Sequence, residues 1–179
     1  MLRDHDPVAL ADPLKEICAD LVKILCGMDL PLETWYKDTD KAQVFAGRSV
    51  NGRSFSRRHV MQEVGDVLRK ALGNDIFVRT TLQRRAETPS ARTVVTDVRM
   101  PHEHEALMRC MPPPIVTLRI EDRHAATKVA DAHETETAQA DIPVDAVVYN
   151  DKTAGLKYLA VTAAEAIGAV LSETSKVTS

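Results

Sequence analysis

The chain has 179 residues and a mass of 19.7 kDa, with 44% hydrophobic residues, 27% charged residues and a formal net charge of −3. That is enough for one globular core, so a single domain is the expectation; seven Gly and nine Pro exclude a collagen-like or linker-dominated chain. No run reaches the roughly 18 to 20 consecutive apolar residues of a membrane span, the acidic Met1–Leu10 start is unlike a signal peptide, and three cysteines are too few for a disulfide framework. These features lead to the expectation of a cytoplasmic protein with no membrane partner.

Pro7–Leu10 is short and apolar and reads as a strand end. Asp12 and Pro13 then suit an N-cap and first turn, followed by Leu14, Ile17, Cys18, Leu21 and Leu25 at helical spacing as far as Gly27. Residues 28–55 hold no sustained period and are expected to be a long loop with one turn of helix. Ser56 can cap a helix with the stripe Val60, Val64, Val67, Leu68, Ala71 and Leu72, ended by Gly73-Asn74. Asp75 starts another, with Ile76, Phe77, Thr80 and Leu82 inward. The β-branched run Thr93–Thr96 predicts a strand covered on both faces. A helix over His102–Cys110 is stopped by Pro112, Pro113 and Pro114, and Ile115, Val116, Leu118 and Ile120 form the next strand. Residues 121–143 read as a lid, Ala146–Tyr149 as a last strand, and Leu156–Leu171 as a final amphipathic helix with a frayed tail over 173–179. Alternation of strands and helices predicts a three-layer α/β domain on a mainly parallel sheet.

Charge is distributed unevenly along this order. Residues 48–85 carry nine basic and three acidic side chains, and eight of the nine are arginines. Guanidinium forks match phosphate oxygens, so the stretch suits phosphate chemistry, although charge alone favours a solvated basic helix face. Residues 119–145 carry three basic and seven acidic side chains, which suits the lid assignment.

Two constellations carry candidate chemistry. Asp97 and Arg99 fall just past the strand at 93–96, where a parallel sheet lines its ligand crevice. There Arg can donate to phosphate, while Asp accepts from a base, sugar or metal-bound water; a structural salt bridge uses the same pair. The second is Arg57-Arg58-x-x-x-Gln62 at a helix start. Arginines in a first turn oppose the helix dipole, which hints at a bound anion, and Gln62 lies one turn on. His102, His104 and Cys110 do not share a metal, because alternate helical residues point about 200° apart. No G-x-S-x-G elbow is present, and nucleic-acid binding is disfavoured by the scarcity of aromatics.

The order of Ala9–Glu16, the Arg-Arg-x-x-Met-Gln-x-x-Gly run at 57–65, Asp97-Val98-Arg99-x-Pro-x-Glu, His133-Glu134-Thr135-Glu136 and Val147–Thr153 resembles the bacteriophage deoxynucleoside monophosphate kinases and, more distantly, phosphomevalonate kinase. The resemblance implies a P-loop kinase fold that moves the γ-phosphoryl of ATP, with Mg²⁺, to a deoxynucleoside monophosphate. It further implies that Arg57, Arg58, Gln62 and Glu103 hold the monophosphate, that Asp97 and Arg99 stand beside acceptor and metal, and that Arg123 closes from the lid. Lys152 replaces the glycine of the last motif.

No glycine among the seven is followed by Lys-Ser or Lys-Thr, so the G-x-x-x-x-G-K-[ST] loop that cradles ATP is absent from these residues. Met1 falls about where the family's second strand begins. The expectation is therefore a nucleotide-binding, catalytically degenerate kinase homologue. The alternatives are a phage-type regulatory scaffold that binds a protein partner or itself, and an active kinase whose N-terminal segment lies outside this chain. ATP and Mg²⁺ are cofactors only in the last case. With the family's first strand missing, the strands at 93–96 and 115–118 are expected to pair directly in a four-stranded sheet, or else to accept a strand from another chain.

Overall fold

A computed structural model describes residues 6–37, 44–50, 53–87, 93–122 and 138–177. The chain divides into two compact units, Met1–Val98 and Arg99–Ser179.

In the first unit, β1 (Asp6–Val8) pairs in parallel with β4 (Thr93–Val95), in register Asp6 with Thr93 and Val8 with Val95. The chain turns after β1 into α1 (Asp12–Cys26). Ala11, not Asp12, occupies the cap; Asp12 is the first helical residue, and its carboxylate pairs with Lys15 at 2.9 Å. Gly27 ends the helix in the left-handed conformation, φ 66°, donating its N–H to the Lys23 carbonyl.

The expected loop over 28–55 holds more order than the sequence suggested. Leu32–Trp35 form one 3₁₀ turn, and β2 (Val44–Val50) runs antiparallel to β3 (Arg53–Ser56). The Asn51-Gly52 step between them is a strong hairpin signal. It was masked by strands that lack period-2 apolar alternation.

Helix α2 (Arg57–Leu72) starts where expected, with the Ser56 hydroxyl accepting from the His59 N–H at 3.3 Å. Its stripe is narrower than predicted: Val60 is buried and Val64 and Leu68 are half-buried, but Val67 and Leu72 are exposed. Gly65 faces α1, and a Cβ there would sit 3.3 Å from Leu14 Cδ2, so the missing side chain permits the close helix contact. Helix α3 (Ile76–Glu87) buries Phe77, Val78 and Thr81 rather than the expected Thr80 and Leu82, a shift of the buried face by about one residue. The core of this unit gathers Leu14, Cys18 and Val22 of α1 with Trp35, Phe45, Val60 and Phe77. β4 is not covered on both faces, since Val94 is exposed.

In the second unit, α4 (Pro101–Cys110) is followed by the proline run, whose Pro113–Pro114 peptide is cis. β5 (Leu118–Asp122) begins three residues later than predicted and pairs in parallel with β6 (Ala146–Asn150). Among the described residues β4 therefore pairs with β1 and β5 with β6, in separate two-stranded sheets, and the expected direct pairing of β4 with β5 is not made. Of the predicted lid, Glu121 and Asp122 belong to β5, Ala138–Asp141 form a 3₁₀ turn and Ile142 is buried, while residues 123–137 lie outside the described residues.

Helix α5 (Gly155–Val177) is longer than its predicted stripe and takes in residues 173–177 of the predicted frayed tail. By length and composition alone Gly155–Lys176 could cross a membrane, with a mean hydropathy of 1.2. Lys157 and Glu165 interrupt the run. Buried apolar side chains are fewer and smaller in this unit: Ala106, Leu107, Ile142 and Val148.

Candidate functional site

The carboxyl end of the β1–β4 pair carries Asp97. Asp97, two residues past β4, has a left-handed backbone, φ 50°, a conformation that Asp tolerates better than most side chains. Its Oδ1 accepts from the Leu10 N–H at 2.8 Å and its Oδ2 from the Ala11 N–H at 3.1 Å. Thr96 N–H adds a bond to the Val8 carbonyl at 2.9 Å. The turn that leads into α1 is thus tied to the end of β4 through a side chain 86 to 87 residues away. An anion belongs at such a helix start, and here the protein supplies it.

Arg57 and Arg58 part company. Arg57 is buried, 7% exposed, with its guanidinium 5.5 Å from the centre of the Phe45 ring. It lies three residues before Val60 and seven before Val64, so the apolar stripe of α2 carried back one turn lands on it. Arg58, the next residue round the helix, is exposed, and Gln62 is half-buried one turn on. Among the described residues neither side chain has a hydrogen-bond or ion-pair partner.

Arg99 and Glu103 belong to the second unit. Glu103 is 4% exposed, and its Oε2 accepts from the Arg99 and Met100 N–H groups at 3.0 and 3.1 Å, closing the first turn of α4 in the manner of a capping box. The geometry gives it a capping part, whereas the sequence suggested a substrate-binding one. The Arg99 side chain is exposed. His104 Nε2 lies 3.0 Å from the Thr117 hydroxyl. Arg123 and His133–Glu136 lie outside the described residues. In the last motif Lys152 pairs with Asp122, Asp151 accepts from the Thr153 N–H at 2.9 Å, and the left-handed position of the turn falls to Gly155, φ 78°.

Sequence reasoning missed a charged cluster where α1 faces α3. Lys15 is buried against Asp12 and stands 3.8 Å over the Tyr36 ring. Desolvation and a hydrogen bond to the Asp12 carboxylate push the Tyr36 phenol up to about 12. Arg84 clasps Glu16 with both terminal nitrogens, at 3.0 and 2.8 Å, and that hydrogen bonding raises the Arg84 pKa. Arg85 donates from Nε to the Thr93 hydroxyl at 2.9 Å. The available signal was spacing: Asp12, Lys15 and Glu16, like Thr81, Arg84 and Arg85, stand at i, i+3 and i+4 on their helices.

Among the described residues no group of three His, Cys, Asp or Glu converges on one point, and Asp97, the carboxylate expected beside a Mg²⁺, turns both oxygens to backbone N–H groups.

Parallel strand pairs flanked by helices define an α/β protein. A family model described as deoxynucleotide monophosphate kinase matches residues 32–159, and the chain belongs to that family. Membership and the parallel pairing agree on an α/β kinase-type fold. No curated protein and no solved structure matches it.

Proposed function

We propose that this chain binds a deoxynucleoside or nucleoside monophosphate through its arginines and does not by itself transfer a phosphoryl group. The observation that carries this reading is the span of the family match: residues 32–159 take in Arg57, Arg58, Gln62, Asp97, Arg99, Glu103 and Arg123, whereas no segment of the 179 residues reads G-x-x-x-x-G-K-[ST]. Arg58 supports it further. An exposed guanidinium in the first turn of α2 opposes the helix dipole and gains no ion pair among the described residues, so an anionic ligand supplies what the fold does not. Phosphoryl transfer without amides and a lysine around the ATP phosphates loses most of its electrostatic positioning.

Calorimetry with the common ribo- and deoxynucleoside monophosphates tests the first half. Binding is expected, and Arg58→Ala and Arg99→Ala are each expected to weaken it about 10- to 100-fold, the worth of a charged hydrogen bond to phosphate. No binding at millimolar concentration, or binding indifferent to both substitutions, overturns the nucleotide reading in favour of a scaffold. Magnesium-dependent transfer from ATP to a deoxynucleoside monophosphate by this chain alone overturns the second half.

A further inference from the structure

Stability alone does not account for a buried arginine at position 57. Arg57 is the first residue of α2, where a cation opposes the helix dipole, and it is 7% exposed, so its charge is carried on the core side of the helix rather than into water. A leucine or methionine there would continue the stripe of Val60 and Val64 without either penalty. Even a buried cation that its neighbours compensate well gains little over an apolar side chain of similar size.

What the arginine does hold is the start of α2. Its guanidinium lies 5.5 Å from the centre of the Phe45 ring, within cation–π range, and Phe45 belongs to the same core as Val60. Phe45 follows Val44, whose partner across the β2–β3 hairpin is Ser56, the cap of α2. Two consecutive residues at the helix entry are thus fastened to β2, Ser56 through the strand pairing and Arg57 through the ring. The cap bond inside the turn, from the His59 N–H to the Ser56 hydroxyl, is long at 3.3 Å. Arg58 projects outward from this turn and is exposed. On a frayed turn, an arginine that meets an anion must order its backbone as well as its side chain; on a fixed turn only the side chain is ordered.

We propose that Arg57 is a positioning residue for Arg58: through Phe45 it braces the first turn of α2, so that Arg58 meets the phosphate of a nucleoside monophosphate from a fixed backbone. The inference rests on the nucleotide reading above and divides the two adjacent arginines, one touching the ligand and the other holding the turn.

The test takes Arg57→Met, Arg57→Lys, Phe45→Leu and the double variant Arg57→Met/Phe45→Leu in the full chain. It measures the Kd for each of the four deoxynucleoside monophosphates, the Tm, and hydrogen exchange of the His59 amide without ligand. Arg57→Met is expected to weaken binding about tenfold while leaving the Tm level or raised, and Arg57→Lys, which keeps a cation over the ring, to recover most of that loss. Phe45→Leu keeps the arginine, removes the ring and is expected to weaken binding by a similar factor. The double variant is expected to lose about tenfold rather than a hundredfold, because both substitutions break one link. His59 exchange is expected to quicken in Arg57→Met and Phe45→Leu alike.

Binding by Arg57→Met or Phe45→Leu at the wild-type Kd overturns the inference. So do losses that multiply to about a hundredfold in the double variant, which would put Arg57 on the ligand itself. Should Phe45→Leu not fold, equal binding by Arg57→Met and Arg57→Lys overturns it. Unchanged His59 exchange overturns the brace whether or not nucleotide binds. If the wild-type chain binds none of the four while the exchange still quickens, the brace stands and the nucleotide reading alone falls.

Discussion

The two parallel strand pairs end differently. At β1–β4, Asp97 reaches across 86 to 87 residues of sequence to hold two backbone N–H groups at the start of α1. At β5–β6, the corresponding end is held by an ion pair between exposed Lys152 and half-buried Asp122 and by Asp151 bonded within its own turn. The cores differ in the same sense. α1 lies against Trp35, Phe45 and Phe77, while Ile120, Tyr149 and Leu156 of the second unit are exposed. A long-range tie between polar groups repays its entropy where packed side chains already hold both ends in place, and an exposed ion pair contributes little in either setting.

The sharpest way to break this comparison is to delete core from each unit. Phe77→Ala is expected to cost about 3–5 kcal/mol and Leu107→Ala to fall toward the low end of about 2–5 kcal/mol, because fewer large neighbours surround it. The single tryptophan, Trp35, lies in the core of the first unit, so its fluorescence in urea follows that unit, while hydrogen exchange at Val148 follows the other. Equal losses would show that the two units are equally consolidated.

The ties come next in size. Asp97→Ala leaves two N–H groups without their acceptor and is expected to cost about 1–3 kcal/mol. Lys152→Ala removes the exposed partner of the Asp122 ion pair and is expected to change stability by less than about 1 kcal/mol. Urea midpoints for the two variants measure the difference directly, and a cost at Lys152 equal to that at Asp97 would contradict it.

A pH dependence is also expected in the first unit. Burial pushes the Cys18 thiol from 9.0 up to about 12, and Tyr36 is raised from 10.0 to about 12. Both groups hold their protons more tightly when folded. Their contribution is therefore complete below pH 9 and is lost as the pH rises toward 12, since the unfolded chain ionises first. Cys18→Ala is expected to flatten the early part of that decline in the Trp35 fluorescence midpoint. An unchanged profile would mean that Cys18 is not shielded from water.

Much of the local structure was legible in the sequence because it depends on neighbours along the chain. The helices follow from apolar spacing and punctuation, as at Ser56, Gly27 and Gly73, and the placing of Asp97 and Arg99 past a strand end follows from the β-branched run before them. Short strands were less legible: the hairpin at 44–56 lacks alternation, and β5 begins later than its apolar run.

What the sequence by itself determined was the α/β pattern, the arginine-rich stretch and the motifs that place the chain among the deoxynucleotide monophosphate kinases. Tertiary structure alone decided which polar groups are at work in the fold. Asp97 is a tether because Leu10 and Ala11 come to it. Arg57 turns inward because Phe45 is there to receive it, leaving Arg58 outward, and Thr81 loses water because α3 packs beside α1. Helix spacing states which side chains share a face, but what that face meets depends on segments tens of residues away, and contacts at that distance leave no period in the sequence.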